Sequence, residues 1–239
     1  MPNVETEVHA GQTIAVIEGF DLVLETTAGC PGATVDFSAL TEGTLQAGTL
    51  AIATVLVGDI RDFTVLVRTV PPDILQPSIN RVFSILSEHV GPLGGTVKEF
   101  QGDAIVAFWE RTAHGPRVAE VACHAALELD RAARRLAQDR AVWQVEGQAL
   151  HMDWALATGL VMINGFGGAQ PAGLSMIGEP MVLAFRLEKF ANDETGRILA
   201  CPETSGMAGA MFEFRDLGRM QAKGFDTPDH VFALERQRS

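Results

Sequence analysis

Asp59 and Asp103 are the residues best placed, by type and setting, to do chemistry. Asp59 lies in Val55-Leu56-Val57-Gly58-Asp59-Ile60-Arg61-Asp62-Phe63-Thr64, where an apolar run from Leu50 to Val57 gives way to a turn and then a helix. Asp103 follows a glycine in Thr96-Val97-Lys98-Glu99-Phe100-Gln101-Gly102-Asp103-Ala104-Ile105-Val106, inside what reads as a two-strand hairpin. A carboxylate at the edge of a buried sheet is costly unless it is paired, hydrated or metal-bound. Two such groups held rigidly together make a seat for a pair of divalent cations that handle a triphosphate. The plain alternative for either Gly-Asp is an ordinary turn.

The elements that must position these carboxylates alternate from residue 50 onward. Ala51 to Val57 reads as a buried strand. Ile74, Leu75, Ile79, Val82, Phe83, Leu86 and Val90 recur at helical spacing, between Pro71-Pro72 and Gly91-Pro92. The hairpin comprises Thr96 to Phe100 and Ala104 to Trp109, and a second long helix spans about Pro116 to Gln138. His151 to Ala157 and Leu160 to Ile163 read as paired strands around Thr158-Gly159. A short helix from about Glu179 to Ala191 and strands at 198–201, 212–216 and 230–234 complete the series. This βααβ order predicts an α+β, ferredoxin-like core: a mixed, mostly antiparallel sheet with helices on one face. Residues 1–48 differ in character and read as a β-rich N-terminal extension, with strands at Thr13–Ile17 and Phe20–Thr26 around a Glu18-Gly19 turn. The expected division is therefore 1–48 and 49–239.

Composition narrows the classes. A hydrophobic content of 47% indicates a folded globular chain. The net charge of -12, without a basic stripe, argues against nucleic-acid binding. Cys30, Cys123 and Cys201 are widely spaced and form no CxxC pair, which suits buried thiols in a reducing compartment. No signal-peptide pattern or apolar run of about 20 residues is evident, so the expectation is cytoplasmic, with no membrane contact. His114, His124, His151 and His230 show no metal-ligand spacing, and Asn164-Gly165-Phe166-Gly167-Gly168 lacks the Lys-Ser/Thr of a phosphate loop.

The segments around both aspartates resemble the class III adenylyl/guanylyl cyclase catalytic domain. That family shows Asp-Ile-x-Gly-Phe-Thr, then a helix with an Asn, then Gly-Gly leading to Gly-Asp; here these are Asp59 to Thr64, Asn80, Gly94-Gly95 and Gly102-Asp103. Ile177-Gly178-Glu179-Pro180-Met181-Val182-Leu183-Ala184-Phe185-Arg186-Leu187-Glu188 looks like its Gly-Asp-x-Val-Asn-x-Ala-x-Arg-Leu-Glu, and Ala222-Lys223-Gly224 like its Val-Lys-Gly. The matches run in family order from about residue 50 to the C-terminus. The resemblance implies cyclisation of GTP or ATP to a 3′,5′-cyclic mononucleotide and pyrophosphate. It implies two divalent cations, Mg²⁺ or Mn²⁺, on Asp59, Asp103 and the Ile60 carbonyl. Backbone N–H groups at Phe63 and Thr64 would cradle phosphates, Arg186 would stabilise charge on the α-phosphate, and Lys223 would grip the terminal phosphates. It further implies a head-to-tail homodimer with composite sites, the metal aspartates from one chain and the remaining groups from the other.

Base choice is implied by two positions, Glu99 and Ser175. Both match the guanylyl pattern better than the adenylyl one, because a carboxylate accepts from guanine N1–H and a hydroxyl can meet guanine O6. Strand alternation sends the neighbouring Lys98 to the opposite sheet face, and a one-residue slip would reverse that. Three positions depart from the family: Asp62 replaces a Gly, Glu179-Pro180 stands at the Asp-x step, and Val182 replaces the ribose-orienting Asn. They keep open a weakly active or silent domain that binds nucleotide as a regulator. For Arg186 the plain alternative is a helix-surface charge paired with Glu188. A cyclic-dinucleotide synthase shares the metal logic, but the Gly-Gly-Asp/Glu-Glu-Phe signature is absent from the sequence.

Overall fold

The computed structural model describes residues 4–9, 12–17, 20–25, 49–165, 174–221 and 228–238. The chain divides into two compact units, 1–45 and 46–239. In the first, β1 (Val4–His9), β2 (Gln12–Ile17) and β3 (Phe20–Glu25) form an antiparallel sheet in that order. β2 and β3 fall on the two expected strands, whereas the Glu18-Gly19 turn and Thr26 lie outside the described residues.

The second unit is built on β4 (Thr49–Ile60), β5 (Thr96–Gln101), β6 (Ala104–Glu110), β7 (Met152–Gly165), β8 (Leu174–Ile177), β9 (Ile198–Ala200), β10 (Phe212–Met220) and β11 (Asp229–Gln237). The strand order is β10-β11-β9-β7-β4-β6-β5, with β8 paired to β7. Among the described residues only the pairing of β7 with β9 is parallel, so the sheet is mixed and mostly antiparallel, as expected of the α+β core. The helices are α1 (Phe63–Thr69), α2 (Pro72–Val90), α3 (Arg111–His114), α4 (Val118–Leu136), α5 (Glu179–Glu188) and α6 (Pro202–Ala208).

Alternation along β4 sorts the core into two layers. Leu56 and Ile60 pack with α2, α4 and α6 around Phe83, Leu86, Leu129 and Phe212. Ala53, Val55 and Val57 face the other way, with Val106, Phe108, Ala184 and Leu187. The long helices therefore share one sheet face and the short α5 lies across the other. Asp59 belongs to the odd-numbered set of β4, so its side chain emerges on the α5 face.

β7 corrects the expectation of two short strands around a Thr158-Gly159 turn. It runs unbroken for 14 residues, and Thr158 and Gly159 pair in register with Thr54 and Ala53 of β4. The turn signal loses because both residues have interior roles. The Thr158 hydroxyl lies 2.9 Å from that of buried Thr54 and 2.7 Å from that of Thr204. At Gly159 an added Cβ would sit 2.9 Å from the Pro180 ring of α5.

Gly58 fixes the backbone just before Asp59. It pairs across the ladder with Trp154, which is fully buried, and a Cβ at Gly58 would come within 2.2 Å of the indole. Only a hydrogen leaves room for that ring to cross β4 on the α2–α4 face, opposite the side from which Asp59 projects. Gly58→Ala is therefore expected to destabilise the domain by about 1–3 kcal/mol, as core overpacking does. Urea unfolding checks this; an unchanged midpoint would show that Trp154 moves aside freely.

Candidate active site

Asp59 stands near the end of β4, in register with Ala104 of β6 and Asp153 of β7. Asp103 occupies the tight turn between β5 and β6, after Gly102 at φ 65, a conformation that favours glycine. A backbone bond joins the two loops: the Ile60 N–H donates to the Asp103 carbonyl at 3.2 Å. The fold thus brings together two carboxylates separated by 44 positions in the numbering. Ile60 itself is buried in the α2–α4 layer, which anchors the backbone carrying its carbonyl.

The charges there are tightly packed. Burial pushes the Asp59 carboxyl above its ordinary value; Lys189 partly offsets this, and the nearby Asp103 charge adds to the rise. The Lys189 ammonium lies 2.7 Å from Asp59 Oδ2 and 2.7 Å from Glu188 Oε2. Its contact with Glu188 is a close ion pair, not an aligned hydrogen bond. Burial pushes Glu188 up to about 7, Lys189 pulls against that, and Asp59 and Asp153 add repulsion. Asp59 Oδ1 is buried without a hydrogen-bond partner among the described residues.

A second clamp lies just beyond. Arg61 grips Asp153 through two parallel bonds, Nε to Oδ2 at 2.7 Å and a terminal nitrogen to Oδ1 at 2.5 Å. It also reaches Asp193 at 3.1 Å, and its backbone N–H donates to the His151 carbonyl at 2.9 Å. Asp62 then caps α1 with φ 58 and ψ 26, the left-handed conformation suited to a glycine. Its carbonyl accepts from the N–H groups of Val65 and Leu66 at 2.8 and 3.1 Å. Asp is among the few residues that tolerate this conformation, so the loop keeps its path where the family has Gly. Phe63 and Thr64 open α1, the first half-buried against the core and the second exposed.

The remaining expected residues fall in two places. Arg186 on α5 is ion-paired with Asp229 at the start of β11, both largely buried. The alternative pairing with Glu188 is not formed, because residues two apart on a helix do not face each other. Val182, one turn before Arg186, is exposed. Lys223 and Gly224 lie outside the described residues.

Glu99 is on β5, and Ser175 is on β8, a strand that approaches β5. Lys98 overturns its expected orientation. The ladder shifts register between Val97 and Glu99, so Val97 pairs with Ala107 and Glu99 with Val106. This bulge absorbs one residue and puts Glu99 on the α5 face, where the Lys98 ammonium pairs with it.

The sequence assigns no role to Lys189, Arg61 or Asp153, and to Glu188 only a pairing with Arg186. Only Asp153 carried a usable signal, since a carboxylate between Met152 and Trp154 in a buried strand demands a cation. Among the described residues no group of three or more His, Cys, Asp or Glu side chains is arranged to hold a metal. The donors at Asp59 and Asp103 nevertheless fit hard divalent cations. One or two carboxylates suffice where substrate phosphates complete the coordination, and the buried, unpartnered Asp59 Oδ1 is available for such a bond.

No protein-family model matches the chain. Adenylate cyclase 1 of Rhizobium meliloti is 27% identical over 182 residues, which are 76% of this chain and 27% of that protein. The chain thus spans 27 to 30% of the length of the curated relatives it matches. In three dimensions it is similar to the adenylyl cyclase CyaB from P. aeruginosa, with TM-score 0.68 and 25% identity, covering 80% of this chain and 97% of that one. The guanylyl cyclase Cya2 shares the fold at TM-score 0.68 and 24% identity, with 79% and 93% covered.

Arg61→Ala would leave Asp153 buried without its guanidinium. It is expected to cost about 2–4 kcal/mol of stability, and Arg61→Lys to recover only part because an ammonium cannot form the two-point clamp. Chemical denaturation of both variants checks this, and an Arg61→Ala midpoint equal to the parent's would remove Arg61 as the clamp of this loop.

Proposed function

We propose that this chain, in which residues 46–239 form a class III adenylyl/guanylyl cyclase catalytic domain, converts a purine nucleoside triphosphate to the 3′,5′-cyclic mononucleotide and pyrophosphate, with GTP favoured. The observation that carries this reading is the joining of the Asp59 and Asp103 loops by the Ile60–Asp103 backbone bond, beside a buried carboxylate oxygen without a partner.

In the reaction the ribose 3′-oxygen bonds to the α-phosphorus while the bond from that phosphorus to the bridging oxygen breaks, and the hydroxyl proton is lost. Held by Asp59, Asp103 and the Ile60 carbonyl, two divalent cations, Mg²⁺ or Mn²⁺, would acidify the hydroxyl and neutralise the leaving phosphates. Phe63 and Thr64 offer backbone N–H groups to the phosphates. Arg186 supplies positive charge at the α-phosphate and Lys223 at the terminal phosphates. Each site is shared in a head-to-tail homodimer: one protomer gives the carboxylates, its partner the arginine, lysine and base-reading groups.

Glu99 and Ser175 read the base. Of the Lys98–Glu99 pair, Glu99 is the exposed member at 42% against 8% for Lys98, so the group offered to a ligand is the carboxylate. A carboxylate accepts from guanine N1–H but meets an acceptor in adenine N1. The bulge that brings Lys98 to the same face favours a second reading, an adenylyl cyclase in which the ammonium donates to adenine N1. Exposed Val182, which offers no hydrogen bond to a ribose, favours a third, a weakly active domain that binds nucleotide as a regulator.

One assay separates these readings. The parent is given GTP and ATP with Mn²⁺, and products are resolved by chromatography. Cyclic GMP should dominate, with kcat/KM for GTP about 30- to 1000-fold above that for ATP, the cost of a Glu99 carboxylate that bound adenine would desolvate without giving it a donor. Asp103→Asn and Arg186→Gln should each be inactive alone and regain activity when mixed, because the mixed dimer holds one intact site. A preference for ATP would select the adenylyl reading. No product would select the regulatory one, and failed complementation with proven subunit exchange would remove the shared site.

A further inference from the structure

We propose that Lys189 is the resident counter-ion of the Asp59 carboxylate and is displaced when a divalent cation binds there, so that it sets the metal concentration this domain requires. The proposal rests on the metal-binding reading of Asp59 and Asp103 given above.

The geometry is that of a plug. The ammonium sits 2.7 Å from Asp59 Oδ2, on the carboxylate whose other oxygen is buried and unpartnered. A metal ion on Oδ1 competes with the ammonium on Oδ2 for the charge of one carboxylate, and the two cations repel across it; an ion that also takes Oδ2, at about 2.0–2.1 Å, leaves the ammonium no room. Metal and lysine therefore compete for the Asp59 carboxylate.

Lys189 can also leave cheaply. Its side chain is 61% exposed, while Asp59 is 13% and Glu188 7% exposed. The ammonium reaches the buried acids from the solvent side on a flexible stem, so withdrawal needs no rearrangement of the core. Glu188, 2.7 Å away, provides a second carboxylate on which it can settle. Asp59 and Asp103 meanwhile stay in place, because the Ile60–Asp103 bond does not involve Lys189. While metal is absent, Lys189 lowers the cost of keeping Asp59 ionised; once metal arrives, the same contact opposes it.

The test measures Mn²⁺ binding to the intact chain without nucleotide, by electron paramagnetic resonance of the free ion, and pairs it with thermal unfolding. Lys189→Met should bind Mn²⁺ about 3- to 10-fold more tightly than the parent, the range expected for loss of a partly exposed charge-assisted contact. Its Tm should be lower than the parent's in chelator and recover with Mn²⁺, whereas Lys189→Arg should stay near the parent in both. A lysine that only holds α5 to the sheet would instead lower Tm equally with and without Mn²⁺ and leave affinity unchanged, which overturns the proposal. Asp103→Asn separates the two levels of the argument. If it abolishes Mn²⁺ binding while Lys189→Met has no effect, only the Lys189 proposal fails. If parent and Asp103→Asn bind Mn²⁺ alike, the metal seat fails and the proposal with it.

Discussion

The hydrogen bond from the Ile60 N–H to the Asp103 carbonyl makes the end of β4 and the β5–β6 turn one piece. It forces Asp59 and Asp103 into each other's field. Two like charges 4 Å apart repel by about 4 kcal/mol at an effective dielectric of about 20, so the surrounding structure has to hold them there. Ile60 is buried under α2 and α4, Trp154 crosses Gly58 on the adjoining strand, and Arg61 ties the next residue to Asp153. Lys189 then supplies the compensating charge from solvent. Most of the contacts around these loops are means of keeping two carboxylates where, in isolation, they would not stay.

The distribution of cations follows the same logic. The cations that contact the acids here, Arg61 on Asp153 and Lys189 on Asp59 and Glu188, are already committed to carboxylates. Arg186 is held by Asp229, against the sheet and not beside Asp59. Acid is thus concentrated at this end of the sheet, while the Arg186 guanidinium is held by Asp229. Such a division suits a site completed by a second protomer, and it gives Asp229 a clear part, holding the guanidinium of Arg186 on a fixed stem.

What the sequence made legible was what local patterns control. The apolar spacing of α2 and α4, the hairpin with Gly102-Asp103 at its tip and the buried run of β4 each follow from periodicity and turn chemistry, and the α+β sheet follows from their order. The failures lie where tertiary contacts outweigh local signals. Thr158-Gly159 resembles a turn, yet Thr158 bonds inside the sheet and Gly159 makes room for Pro180. Lys98 obeys alternation until a bulge removes it, and a bulge leaves no mark on this stretch of sequence. Helix α6 leaves no local signal, because Pro202-Glu203-Thr204-Ser205-Gly206-Met207-Ala208 has almost no apolar period; its Cys201 cap and its packing against α4 make the helix. Local pattern gives Lys189 no role, because its importance comes from Asp59, 130 positions away.

In the proposed reaction Asp59 and Asp103 together hold divalent cations against a nucleoside triphosphate. Anomalous scattering from Mn²⁺, in crystals grown with a non-hydrolysable GTP analogue, tests it most directly. Anomalous peaks are expected within bonding distance of both carboxylates and of the analogue's phosphates, with the Lys189 ammonium withdrawn from Asp59. Bound analogue with no Mn²⁺ peak at Asp59, or Mn²⁺ held while Asp103 turns away, would contradict it.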